Sequence, residues 1–143
     1  MLVESADDAD WVVRRQPSRV ISTPLERKII GAAIDVHRHL GPGLLESTYL
    51  ECLVYELGQL GLRFLIEPFV SISYKRLTIE RAFRPDLIIE NEVVLELKHI
   101  EKILAVHEAQ LRTYLRLTGI KVGLLFNFNV IVLKNGIRRV ELK

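Results

Sequence analysis

The stretch RPDLIIENEVVLELKHI, Arg84–Ile100, decides how this chain is read. Most of it is buried-strand material, yet Asp86, Glu96 and Lys98 interrupt the Leu, Ile and Val. If the turn is the three residues Glu90-Asn91-Glu92, Ile89 faces Val93, Ile88 faces Val94, Asp86 faces Glu96 and Arg84 faces Lys98. Side chains alternate along a strand, so Asp86, Glu96 and Lys98 then share one face. Leu87, Ile89, Val93, Leu95 and Leu97 take the other. Directly opposed carboxylates would lie about 5 Å apart, a repulsion of about 3 kcal/mol at an effective dielectric near 20. A divalent cation between them reverses the sign, and oxygen donors suit Mg²⁺ or Mn²⁺. Lys98 would then stabilise an anion or orient a water. The inference depends on register, since a two-residue turn separates the two acids. A plainer reading stays open, with Asp86 capping the turn and Glu96–Lys98 forming a surface ion pair.

The surrounding chain defines the class. At 143 residues it fits one domain, and 49% hydrophobic with 27% charged residues is ordinary for a globular protein. A single cysteine, Cys52, excludes an internal disulfide and fits a reducing compartment. No apolar run reaches the ~18 residues of a membrane span, and the start MLVESADDADWVV lacks a basic leader. A cytoplasmic protein off the membrane is expected. Residues 1–10 carry −4, so the +2 total leaves +6 on the remainder. That balance permits an anionic partner such as nucleic acid and equally fits a solvated mixed surface.

Residues 1–22 show no periodicity and read as a loosely ordered arm, leaving 23–143 as the domain. Thr23, Pro24 and Glu26 form a helix start, with N-cap, first-position proline and capping-box acid. That helix should run to about Leu40 and stop at Gly41-Pro42-Gly43. A second helix is expected over about Leu45–Leu60, ending at Gly61. From Arg63 three or four strands follow, with RFLIEPFVSISY as the first. A third helix, about Leu104–Thr118, should close on Gly119. KVGLLFNF then reads as a mid-sheet strand, and VIVLKNGIRRVEL as a hairpin with Asn135-Gly136 in a type I′ turn. The sum is an α+β domain with a mixed β-sheet flanked by helices.

Two helices add chemistry. On the second, Glu46 falls in the stripe of Tyr49, Leu50, Leu53, Leu57 and Leu60, where a carboxylate is costly without a partner. A plain N-terminal capping acid is the alternative. On the third, Gln110 and Tyr114 border the inward stripe of His107, Leu111, Leu115 and Thr118, within reach of the Asp86 face. Arg112 and Arg116 point away, and Glu108–Arg112 is spaced as an ordinary ion pair. Tyr49 fits the site and the core equally. The histidines lack zinc spacing, Gly41-Pro42-Gly43 lacks the Lys of a P-loop, and Ser47 and Thr48 have no base. The basic end, with Lys134 and IRRVELK, could touch phosphates or simply protect a sheet edge.

Together GLLESTY (Gly43, Glu46, Tyr49), RPDL (Asp86), ELK (Glu96, Lys98) and HEAQLRTYL (Gln110, Tyr114) resemble the GxxExxY proteins of the PD-(D/E)xK nuclease superfamily. The likeness spans about Pro24 to the end of the chain. It implies a restriction-endonuclease-like core and Mg²⁺-dependent hydrolysis of phosphodiester bonds, with DNA the expected partner. It also implies Asp86 and Glu96 as metal ligands with Glu46 as a further acid, Lys98 at the attacking water or the phosphate, and Gln110 and Tyr114 holding substrate. A module that binds nucleic acid or regulates without cutting is the alternative on the same fold. A homodimer is open.

Overall fold

The computed structural model describes residues 23–143, so the reading of residues 1–22 as an arm lies outside the described residues. The chain divides into two compact units, one drawing on residues 23–62, Leu97–Ile103 and Phe126–Ile137, the other on Arg63–Glu96, Leu104–Leu125 and Arg138–Lys143.

The first unit is built on two helices, α1 (Pro24–Leu40) and α2 (Glu46–Gln59), which pack on each other. Thr23 caps α1 as expected: its Oγ1 accepts the Glu26 N–H at 3.1 Å and lies 3.3 Å from Glu26 Oε2. Gly41 ends α1 at φ 72°, a conformation that costs glycine little. Ile29, Ala33, Tyr49, Leu53, Leu57 and Phe128 are fully buried.

Tyr49 resolves toward the core. It stacks on Phe128 at 4.5 Å, its hydroxyl donates to the Gly41 carbonyl and it accepts the Leu44 N–H at 3.1 Å. The phenol thus pins both ends of the loop between the helices. Leu60 is 40% exposed and Glu46 is exposed at the first position of α2. The buried stripe is therefore Tyr49, Leu53 and Leu57, narrower than the sequence pattern indicated.

The second unit carries most of the strands. After α2 come β1 (Phe64–Ile66), β2 (Val70–Tyr74), β3 (Leu77–Phe83), β4 (Leu87–Ile89) and β5 (Val93–Lys98). The helix α3 (Ala105–Thr118), the strand β6 (Val122–Asn127), a 3₁₀ turn (Leu133–Gly136) and β7 (Ile137–Glu141) complete the chain. The expected single strand RFLIEPFVSISY is two strands. Glu67, at φ 49°, and Pro68 break it, because proline has no N–H to continue a ladder. β1, β4, β5, β6 and β7 form a five-stranded mixed sheet in that order, while β2 and β3 form a separate ribbon. This is the mixed α+β class expected from sequence.

The expected C-terminal hairpin is absent. Leu133 and Ile137 are buried at the two ends of the 3₁₀ turn, which the Asn135 N–H to Val132 carbonyl bond closes at 3.0 Å. Gly136 serves close approach and not a left-handed turn: a Cβ there would lie 2.3 Å from the Asn127 carbonyl oxygen. The arginines of β7 are engaged within the protein, Arg138 with Glu108 at 3.5 Å and Arg139 with Glu141 at 2.8 Å. Glu108 therefore pairs across to β7 and not along its helix to Arg112. Gly119 caps α3 in the left-handed conformation, as expected. No helix among the described residues is long and apolar enough to cross a membrane.

Candidate active site on the β4–β5 hairpin

The hairpin has the register on which the sequence argument depended: Ile89 pairs with Val93, Ile88 with Val94 and Leu87 with Leu95. All three residues of β4 are buried, as are Val93–Leu97 of β5, so both faces of these strands are covered. The exception to apolar content is Glu96, 6% exposed. Its Oε2 accepts the backbone N–H of Asp86 at 2.9 Å. The register, carried one step past Leu87–Leu95, sets the half-buried Asp86 opposite Glu96. Lys98, also half-buried, follows two residues later on the same face.

Tyr114 on α3 registers both charges. Its phenol is pushed above the ordinary tyrosine value, first by burial and then by the negative fields of Glu96 and Asp86. Its ring stacks on Phe83 at 4.6 Å, which fixes its direction. Gln110, one turn earlier on α3, is exposed. The helix is held close to β6: a Cβ at Gly123 would sit 2.8 Å from Leu111 side-chain carbons, so a larger residue there would force Leu111 to shift. His107 serves the helix start, its Nδ1 accepting the Leu104 N–H at 2.8 Å.

In the first unit, the backbone that follows Lys98 is fixed group by group. The Lys98 carbonyl accepts the Phe128 N–H at 3.0 Å, and the His99 N–H donates to Glu46 Oε2 at 3.0 Å. The Ile100 N–H donates to Asn127 Oδ1 at 3.1 Å, and the Ile100 carbonyl accepts Asn127 Nδ2 at 2.9 Å. Glu46 is thus exposed but engaged, and Asn127, 2% exposed, is a residue sequence reading passed over. The signal was present: an amide inside GLLFNFN has to find partners if that strand is buried.

A hard divalent cation fits this donor set. Mg²⁺ is commonly held by one or two carboxylates with water and substrate phosphate completing its shell. Asp86 and Glu96 offer that pair, with Glu96 already oriented by a backbone N–H. Among the described residues no group of three or more His, Cys, Asp and Glu side chains gathers as a metal site.

No curated protein and no solved structure gives a match to this chain. A family model does: residues 23–140 match the PD-(D/E)XK nuclease superfamily, a span that runs from α1 through the hairpin and α3 to all but the last residue of β7. The chain belongs to the PD-(D/E)XK nuclease superfamily.

Proposed function

We propose that this protein is a Mg²⁺-dependent nuclease, with Mn²⁺ as a substitute, that hydrolyses phosphodiester bonds in DNA, and that it belongs to the GxxExxY branch of its superfamily. The observation that carries the reading is the β4–β5 register, which sets Asp86 opposite Glu96, with the Asp86 N–H bonded to the Glu96 carboxylate. Two acids in such a position favour a cation more than they favour the fold.

Asp86 and Glu96 hold the metal, which when bound supplies Lewis acidity and lowers the pKa of a bound water. Lys98 places an ammonium on the same face, where it stabilises charge developing on the phosphate. Tyr114 keeps its proton at neutral pH and donates a hydrogen bond, and Gln110 adds a polar contact for substrate from the same face of α3. Glu46 positions the backbone after Lys98 through the His99 N–H, and its reading as a further acid at the metal is tested by Glu46→Gln. The protein works in the cytoplasm, and pairing of two copies is compatible with this scheme.

The test is cleavage of plasmid and linear DNA by purified protein in Mg²⁺ or Mn²⁺, beside Asp86→Ala and Lys98→Ala. Cleavage by wild type alone is expected, with a melting temperature raised by either metal and unchanged by metal in Asp86→Asn. Equal cleavage by all three proteins would assign the activity to a contaminant. Salt-sensitive DNA binding without turnover in either metal would identify a silent binding module instead.

A further inference from the structure

The β2–β3 ribbon stands apart from the five-stranded sheet and leaves large apolar side chains in solvent. Tyr74, Leu77 and Ile79 are 59%, 57% and 40% exposed. The pairs Tyr74–Leu77 and Ile72–Ile79 are directly opposed, so these residues share one face of the ribbon. Arg81 lies further along β3, where the register shifts between Val70 and Ile72. Ser73 and Thr78 lie on the other face.

Cations are set among these side chains in fixed positions. The Arg81 and Arg84 guanidiniums each lie 4.6 Å from the centroid of the Phe69 ring, and Lys75 Nζ lies 5.3 Å from that of Tyr74. Arg84 is further held by Glu67, through its carbonyl at 3.1 Å and its carboxylate at 3.5 Å. Arg81 has no carboxylate partner among the described residues. Residues 67–84 carry four cations, Lys75, Arg76, Arg81 and Arg84, against two acids, Glu67 and Glu80. The Phe69 ring helps to order both guanidiniums, and ordering them before binding lowers the entropic cost of gripping an anion.

The ribbon is also continuous with the acid pair. Arg84 precedes Asp86 by two residues, and Phe83, the last residue of β3, stacks on Tyr114. An occupant lying along the ribbon would therefore reach the carboxylates. Charge selects a polyanion, and the exposed apolar face selects one whose bases are unpaired. In a duplex the bases stack on each other and offer the protein phosphates; in a single strand each base has a free face for Tyr74 and the aliphatic side chains beside it.

We infer that the β2–β3 ribbon is a binding surface for an unpaired polynucleotide strand, with Arg81 and Arg84 gripping phosphates and Tyr74 and Leu77 receiving bases. The ribbon deepens the proposed nuclease site by naming the form of its substrate, and its binding role requires no metal.

The experiment is fluorescence anisotropy of a labelled thymidine oligonucleotide and of a duplex of equal length, with full-length protein in EDTA so that nothing is cut. The single strand should bind at least about tenfold tighter than the duplex. Arg81→Gln should weaken it severalfold, and Arg81→Gln with Arg84→Gln by about tenfold or more, with a log–log salt slope shallower by about 1.4, at about 0.7 per phosphate on a single strand. Tyr74→Ala should weaken single-strand binding by fivefold or more and leave duplex binding unchanged. Arg112→Gln with Arg116→Gln is the control and should bind as wild type, and circular dichroism confirms that each variant is folded.

Wild-type affinity and salt slope in the double arginine variant would overturn the inference, as would duplex bound as tightly as single strand. So would a dimer in sedimentation that Leu77→Lys dissociates, since the apolar face would then belong to a second copy. Strand binding with no cleavage in Mg²⁺ or Mn²⁺ sinks the nuclease reading and keeps this one, while cleavage that the ribbon variants retain in full sinks this one alone.

Discussion

Replacing Asn127 by alanine tests whether the end of β5 is held in place from outside its own strand. The side chain is 2% exposed and makes three bonds at 3.1 Å or less: Nδ2 to the Ile100 carbonyl at 2.9 Å, and Oδ1 from the Ile100 and Asn129 N–H groups, both at 3.1 Å. Alanine removes all three and leaves the Ile100 carbonyl with only the longer 3.3 Å contact from Asn129 Nδ2. At about 1 kcal/mol net for each bond, the loss is about 3 kcal/mol. A domain of this size loses roughly 3 °C of melting temperature for each kcal/mol, so the midpoint should fall by about 9 °C. Urea denaturation measures the free energy directly, with an m-value unchanged from wild type if the denatured state is the same. Asn127→Asp separates bonding from volume. The carboxylate keeps the acceptor bonds but turns a bare oxygen toward the Ile100 carbonyl, so at neutral pH it should cost about as much as alanine. In acid a protonated carboxyl regains a donor and part of the loss should return. A loss below about 1 kcal/mol for alanine, or an aspartate variant as stable as wild type at neutral pH, would refute the argument.

Tyr49→Phe keeps the stack on Phe128 but strands the Gly41 carbonyl and the Leu44 N–H, so it should destabilise by about 1–2 kcal/mol in the same urea assay. Loss of turnover without loss of stability would instead make the phenol part of the site. Glu96→Gln removes one of the two charges that raise the Tyr114 phenol, so its tyrosinate titration should move down in pH, read by ultraviolet absorbance against Tyr114→Phe. Because the folded value lies above the ordinary ~10, the stability that Tyr114 contributes is complete below that pH and is lost as pH rises through the shifted value. An unchanged titration in Glu96→Gln would show that the acids do not act on this ring.

What the sequence made legible is what local rules determine. The caps at Thr23 and Gly119 depend on a few adjacent residues, and the mid-sheet place of β6 follows from its unbroken apolar run. The β4–β5 register was readable because one choice of turn yields a full list of strand partners. Other features needed partners distant in sequence. Asn135-Gly136 has the composition of a hairpin turn, but the close approach of Gly136 to the Asn127 carbonyl and the burial of Leu133 decide its conformation. Glu46 looked buried by periodicity, yet a residue in the first turn of a helix escapes the stripe and meets a neighbouring strand end instead. The ribbon of β2 and β3 was legible as strands but not as a separate sheet, since nothing local says which sheet a strand joins.

The turn of the β4–β5 hairpin shows how much of the proposed chemistry rests on a single residue. Glu90 and Asn91 both have φ 53°, and the Glu92 N–H reaches the Ile89 carbonyl at 2.9 Å, as in a two-residue type I′ turn. Such a turn would pair Ile89 with Glu92 and set Asp86 opposite Leu95, turning Glu96 to the other face. The ladder instead resumes at Val93, with Glu92 inserted as an extra residue, and that register, carried one step past Leu87–Leu95, sets Asp86 opposite Glu96. Asparagine tolerates the left-handed region; glutamate does so at a cost of about 1–2 kcal/mol. The cost is met locally, because Glu90 Oε2 accepts the Arg63 N–H at 2.7 Å, Oε1 accepts Arg63 Nη2 at 3.0 Å, and the Glu90 N–H donates to the Arg63 carbonyl at 2.8 Å. Strain in the turn and its tie to the residue before β1 therefore set the register, and the register sets which side of the sheet holds the carboxylates.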